Sequence, residues 1–324
     1  MANFLNKSTA GLPLDGFDPQ ANYQMVPLDG RRTVTIKTDS RAAKLRISLN
    51  RRAILLGNFR NISGSVPDGL NSAAQFSNDK DFSIPANATI SFDIKGQQFA
   101  NAAIELEEIV PVNTVDFSDF LLIGVKPKIT KKVAFVFVSD IRGNVQTRFQ
   151  EKNINPRALL RDVGRSLLAQ VNLELQDVDE GSDIKEISII GDLGDPIVLD
   201  KPKNGNDSTN FFIISQVFTK FPRLFPSTHF VILLTRPVQF LKDKTVLYVN
   251  FLTATGSNVI YMTPFSQEAD RLQIALMHEI GHASGADHTT SVRNIMFPNI
   301  DGTNKSFLAE HIEVIHHGGP IFPK

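Results

Sequence analysis

The residues with the clearest chemical potential lie close together near the C-terminal end: His278-Glu279-Ile280-Gly281-His282-Ala283-Ser284-Gly285-Ala286-Asp287-His288. Two histidines four apart on a helix lie about one turn apart on one face, so their imidazoles can converge on one ion. Leu272, Leu276 and Ile280 form a separate i, i+4 row, offset from the histidine row by about 200°. That pattern predicts a helix with one side in the core and the other facing a cleft. Gly285, after His282, is placed to end the helix in a left-handed turn. The reversed chain can then return His288 to the same point as a third ligand.

Three neutral imidazoles with an open fourth position describe a catalytic zinc site rather than a closed structural one. Zinc takes nitrogen ligands, accepts four- and five-coordinate geometry, and does no redox chemistry. Water on such an ion has its pKa lowered to about 7. Glu279, beside the first ligand, is placed to take that water's proton and pass it to a leaving amine. The expected reaction is metal-assisted hydrolysis of an amide. At ordinary residue frequencies the five fixed positions would match by chance with odds of about 10⁻⁴, which disfavours a plain buried helix with incidental histidines.

The extended pattern, with Met296 eight residues beyond His288, resembles the metzincin zinc endopeptidases. The run from Gly285 through Asn294-Ile-Met-Phe-Pro298 is most similar to the matrixin branch. The resemblance implies His278, His282 and His288 as ligands of one catalytic zinc and Glu279 as general base. It also implies Met296 beneath the site as a non-ligand support, with Pro298 and Ile300 at the substrate pocket. An edge strand within Thr253–Thr263 would offer its backbone to an extended substrate. The chain departs from matrixins in lacking the cysteine of their latency device. It has no recognisable counterpart of their structural zinc and calcium segments, so calcium is not indicated. Ile300 stands where many matrixins have a tyrosine, and Pro298 where astacins and serralysins have a tyrosine ligand. A metzincin of its own subgroup is the expectation.

Around this site the sequence predicts a mixed α+β protein in two parts. Residues 1–22, rich in Asn, Gly, Pro and Asp, read as a poorly ordered lead-in. Residues 32–125 show short alternating stretches such as Lys44-Leu-Arg-Ile-Ser-Leu and Thr89-Ile-Ser-Phe-Asp-Ile, divided by turn clusters. They predict an N-terminal antiparallel, Ig-like β-sandwich over residues 1–128. The stretch Val125-Lys-Pro-Lys-Ile-Thr-Lys-Lys reads as the domain end and a solvated basic linker. Residues 129–324 predict a zincin-like catalytic domain: a mixed twisted sheet, a long helix, the zinc-binding helix over 266–285 and a C-terminal helix over Phe307–His317. Asn155-Pro156 opens the long helix as N-cap and first residue. Leu159, Leu160, Val163, Leu167 and Leu168 give it an apolar stripe. The turn-rich stretches between 184 and 230 read as surface loops.

The composition narrows the alternatives. Lys plus Arg and Asp plus Glu number 34 each in 324 residues, giving zero net charge, and a nucleic-acid partner is not expected. With no cysteine, disulfides, thiolate metal sites and thiol nucleophiles are excluded. No apolar run reaches the ~18 residues of a membrane span, and no signal peptide is recognisable. The expected location is extracellular, or delivered by a specialised route, with the cytoplasm as alternative. The partner expected is a protein or peptide substrate, with the N-terminal domain presenting the enzyme to a surface or carrier. The competing reading is a binding protein or delivered toxin, with one dedicated substrate or a vestigial zinc site.

Overall fold

The computed structural model describes residues 2–5, 16–18, 21–63, 76–79, 81–110, 115–199, 208–226, 229–242, 245–249, 251–253, 257–264, 269–292, 294–298 and 306–317. The chain divides into two compact units. The first takes residues 1–129 together with 168–172 and 306–312, and the second takes 130–167, 173–305 and 313–324.

In the first unit the strands are β1 (Asn3–Leu5), β2 (Phe17–Asp18), β3 (Tyr23–Pro27), β4 (Arg31–Lys37), β5 (Ala43–Leu49), β6 (Ile54–Ser63), β7 (Phe82–Ile84), β8 (Thr89–Gly96), β9 (Asn101–Ile109) and β10 (Val115–Lys126). They form two sheets, ordered β1-β4-β8-β6 and β2-β3-β10-β9-β5-β7. Strand β5 shows how the sequence builds them: Ala43, Leu45 and Ile47 are buried while Lys44 and Arg46 point away, as a period of two requires. Val26, Ile36, Leu45, Phe92, Ile94, Ile104 and Ile123, drawn from both sheets, belong to one hydrophobic cluster.

Three expectations need correction here. The sheets are not wholly antiparallel, because β3 pairs parallel with β10; the long stretch between these strands permits the crossover that parallel pairing needs. The supposed lead-in holds β1 and β2, with Ala2 fully buried. The lysine-rich stretch is not a linker: β10 runs to Lys126 and β11 starts at Ile129. Lys126 is buried, and its ammonium donates to Asn101 Oδ1 at 3.3 Å. Its long aliphatic stem is what allows a charge to end a strand in this way.

The second unit is built on β11 (Ile129–Ser139), α1 (Val145–Glu151), α2 (Pro156–Val171), β12 (Leu173–Asp177), β13 (Lys185–Ser188), β14 (Ile197–Val198), α3 (Thr209–Lys220), β15 (His229–Leu234), β16 (Val238–Lys242), β17 (Thr245–Val249), β18 (Phe251–Leu252), β19 (Val259–Met262), α4 (Ala269–Ala283) and α5 (Ala309–His317). Its main sheet is ordered β12-β11-β15-β19-β18, with β13 also paired to β11. Strands β11, β15 and β19 are parallel neighbours, and β18 closes the order as an antiparallel strand on β19. A small sheet, β14-β16-β17, stands apart. The apolar residues of β15 are buried on both faces, as a parallel strand in the middle of a sheet must be.

Helix α2 begins where its cap predicts. Asn155 Oδ1 accepts the N–H groups of Arg157 and Ala158 at 3.1 Å each, and Pro156 is the first helical residue. Within its stripe Leu160, Val163 and Leu167 are buried, but Leu168 is 38% exposed, since it stands a further 100° round the helix. Of the turn-rich stretches between 184 and 230, residues 191–196 are irregular as expected and residues 203–207 lie outside the described residues, while the segments around them form β13, β14 and α3. Ser208 Oγ caps α3 by accepting the Phe211 N–H at 3.2 Å, and Ile213 and Val217 bury its inner face. Among the described residues no helix is long and apolar enough to cross a membrane.

Candidate metal centre

Helix α4 carries Leu272, Leu276 and Ile280 into the core, all buried. On the opposite side, where the periodicity predicts a cleft, His278, Glu279 and His282 are buried as well. His288 and its neighbour Asp287 are exposed. The helix ends in a closed turn built on Gly285, whose φ is +96°. The Gly285 N–H donates to the His282 carbonyl and the Ala286 N–H to the Gly281 carbonyl, both at 2.9 Å. This is the Schellman arrangement, and it requires a left-handed residue at that position. The chain reverses there, and three residues later His288 returns to the two helical histidines.

The Nε2 atoms of His278, His282 and His288 form a triangle with edges of 3.0, 3.1 and 3.2 Å. The second ring nitrogens of the two helical histidines are already engaged. His278 Nδ1 lies 2.6 Å from the Ile295 carbonyl oxygen, and His282 Nδ1 lies 2.7 Å from that of Ala286. A carbonyl oxygen can only accept, so both Nδ1 atoms carry the proton. In the neutral rings both Nε2 atoms therefore present bare lone pairs, aimed at each other. Burial lowers the His282 pKa, outweighing the hydrogen bond to the Ala286 carbonyl and the pull of Asp287, and so favours the neutral ring.

Bare lone pairs in contact repel, and a shared cation removes the repulsion. A tetrahedral ion with nitrogen ligands at about 2.0–2.1 Å holds those nitrogens about 3.3–3.4 Å apart, within a few tenths of an ångström of the observed edges. The donor set therefore fits zinc: all nitrogen, with carbonyl partners on two of the rings as metal-bound imidazoles usually have. This is the one group of three such ligand side chains found among the described residues.

Glu279 lies beside the triad. Its Oε2 is buried without a hydrogen-bond partner. Burial pushes the carboxyl up to about 8, against the opposing effect of the Thr253 backbone. The edge of the sheet is Phe251–Leu252 rather than a strand within 253–263: Val259–Met262 is interior, flanked by β15 and β18.

Met296 is fully buried. Its N–H donates to Asn294 Oδ1 at 2.6 Å, and its carbonyl accepts the Thr289 N–H at 3.0 Å. These bonds tie the segment after His288 to the one that supplies the Ile295 carbonyl. Pro298 is exposed, and Ile300 lies outside the described residues. The sequence reading missed Thr253 and the carbonyls of Ala286 and Ile295. All three act through the backbone, which carries no residue-type signal.

A family model described as Matrixin matches residues 63–313, more than half of the chain. Among solved structures, metalloproteinase-II from Bacteroides fragilis is similar over 69% of this chain and 80% of its own, at 14% identity and a TM-score of 0.32. No curated protein matches the chain.

Proposed function

The chain belongs to the matrixin family, and on that premise we propose that it is a zinc-dependent endopeptidase acting on protein or peptide substrates. The family makes it a metallopeptidase of the metzincin type and implies a catalytic zinc. His278, His282 and His288 would hold the ion, and Glu279 would be the general base. The observation that carries this assignment is the triangle of three Nε2 atoms within 3.2 Å of one another, two of them deprived of a proton by carbonyl partners.

Zinc held there would supply Lewis acidity, both to the attacking water and to the scissile carbonyl. Glu279 takes the proton of that water at a carboxylate oxygen and returns it to the leaving nitrogen as the peptide C–N bond breaks. Its burial matches the task. A carboxylate held out of bulk water beside the attacking group can accept the proton and give it up again. Met296 and Gly285 are read as supports, the first closing the floor behind the Ile295 carbonyl and the second turning the chain back toward His288. Strand β18 is read as the substrate-pairing edge, with Pro298 and Ile300 near the pocket. The first unit is read as a β-sandwich that presents the enzyme to a surface or carrier.

The test is to load wild type and Glu279→Gln with zinc and to measure metal content and peptide-library cleavage together. The expected result is one zinc per chain in both, with cleavage lowered about 10²–10⁴-fold in the variant. Equal cleavage would overturn the assignment of the base. Bound zinc with no cleavage by wild type would favour a binding protein with a vestigial site.

A further inference from the structure

Two carbonyls engage the helical histidines, and they are held in different ways. The Ala286 carbonyl, partner of His282, belongs to the turn on Gly285, where the Ala286 N–H donates to the Gly281 carbonyl at 2.9 Å. Backbone bonds hold it. The Ile295 carbonyl, partner of His278, belongs to a tight turn closed by the Phe297 N–H, which donates to the Asn294 carbonyl at 3.1 Å. The central peptide of that turn joins Ile295 to Met296, and the closing bond does not decide which way it faces. Rotating this peptide would carry the Ile295 carbonyl away from His278 while the ends of the turn stayed in place.

The Asn294 side chain settles the direction. Its Oδ1 accepts the Met296 N–H at 2.6 Å, and on the other side of the same peptide the Ile295 carbonyl meets His278 Nδ1 at 2.6 Å. The N–H and C=O of a trans peptide lie in one plane and point in opposite directions. Capturing the N–H therefore aims the carbonyl. Asn294, Ile295, Met296 and His278 are all buried, and two bonds in series through one peptide strengthen each other in such a setting. A solvated neutral imidazole prefers its proton on Nε2, the nitrogen that the triad needs bare, and the partner of the other nitrogen decides the tautomer. Resting on the zinc-endopeptidase reading, we propose that Asn294 is a positioning residue for the first zinc ligand. Its carboxamide oxygen holds the 295–296 peptide so that the Ile295 carbonyl keeps the His278 proton on Nδ1 and leaves Nε2 free for the metal. His282 has no such dependence, because its carbonyl partner is held by backbone. Loss of the Asn294 oxygen should disturb one histidine and spare the other, which a general loosening of the fold would not do.

Nitrogen-15 NMR of the imidazoles in the zinc-free full chain reads the tautomers with neither metal nor activity, at about pH 8, above the usual imidazole pKa. The expected wild-type result is the Nδ1–H form at both His278 and His282. In Asn294→Ala, His278 should shift to mostly Nε2–H while His282 stays as it was. Asn294→Ser, whose hydroxyl accepts such an N–H more weakly, should return His278 to mostly Nδ1–H. Zinc titration of the same chains should give about tenfold weaker binding in Asn294→Ala, as for other groups standing behind a metal ligand. The serine variant should bind within about threefold of wild type.

An Nε2–H His278 in the wild type would overturn the proposal, and that result is available whether or not the alanine variant folds. So would an unchanged His278 in Asn294→Ala, an equal disturbance of His282, or zinc affinity the same in alanine and wild type. The two levels fail differently. If wild type binds zinc and cleaves nothing, the endopeptidase reading falls and the tautomers stand. If wild type cleaves and Asn294→Ala keeps both tautomer and affinity, only the role of Asn294 falls.

Discussion

His278 and His282 each commit one ring nitrogen to a backbone carbonyl, at 2.6 and 2.7 Å, and this determines what the other nitrogen can do. Glu279 stands beside them as a buried acid, and its environment has a consequence for the metal-free chain. In the unfolded chain its carboxyl ionises near the usual 4.5, whereas burial raises it to about 8 in the fold. Between these pH values the folded chain retains a proton that the unfolded chain has lost. The fold is therefore favoured fully below about 4.5 and loses stability as pH rises toward 8. Glu279→Gln has no such ionisation. Stripped of metal, the variant should melt higher than wild type by roughly 5 °C at pH 8.5, with the gap closing near pH 4. Thermal denaturation in chelator at the two pH values checks this, and identical melting at pH 8.5 would contradict it.

At the scale of elements, the turn after α4 decides whether the third histidine reaches the other two. Gly285 holds φ at +96°. A Cβ there would meet Val314 Cγ1 at 3.5 Å, an ordinary contact, so the cost of a side chain is conformational rather than steric. Gly285→Ala should lose about 1–2 kcal/mol of stability and should weaken zinc binding more than it lowers the melting temperature of the metal-free chain. Metal titration beside calorimetry measures both, and unchanged zinc affinity would show that His288 returns without this turn. The same turn shows why part of the molecule was legible beforehand. Caps, glycines and the apolar row of α4 are written in residue types, and so were Asn155-Pro156 at the start of α2. Helix α3 was missed because Phe211, Phe212, Ile213, Ile214 and Val217 each favour strand when taken singly. Its Ser208 cap and the burial of Ile213 and Val217 outweigh that preference. The edge strand was misplaced because β19 is covered on its other side by β15, a pairing that the local pattern of residues 253–263 does not carry. The cleft-facing reading of the histidine side of α4 rests on its offset from the apolar row, which says nothing of how deep that side lies. His278 also meets the Ile295 carbonyl from beyond the helix, which helical periodicity cannot reveal.

For the whole molecule, the notable feature is that its first unit is not continuous along the chain. Residues 168–172 and 306–312 belong to it, far from residues 1–129. Within that unit Arg32 donates to the Ala169 carbonyl at 2.6 Å, Asn172 Nδ2 to the Lys126 carbonyl at 2.9 Å, and the Ala309 N–H to Asp18 Oδ2 at 2.8 Å. Val171, Phe307 and Ile312 are buried. A fragment of residues 129–324 would expose these apolar groups and leave Gln170 and Asn172 without their buried setting. It should melt well below the full chain in the presence of zinc and be less soluble. Equal melting temperatures would show that the short segments contribute little. Charges balanced at 34 of each sign give no net charge with which to attract a charged substrate. The central claim concerns that site, and X-ray absorption at the zinc edge on the zinc-loaded full chain tests it most directly. The account predicts one zinc per chain with three imidazole nitrogens at about 2.0–2.1 Å, and two such nitrogens in His288→Ala. Fewer than three imidazoles in the wild type, or an unchanged spectrum in His282→Ala, would contradict it.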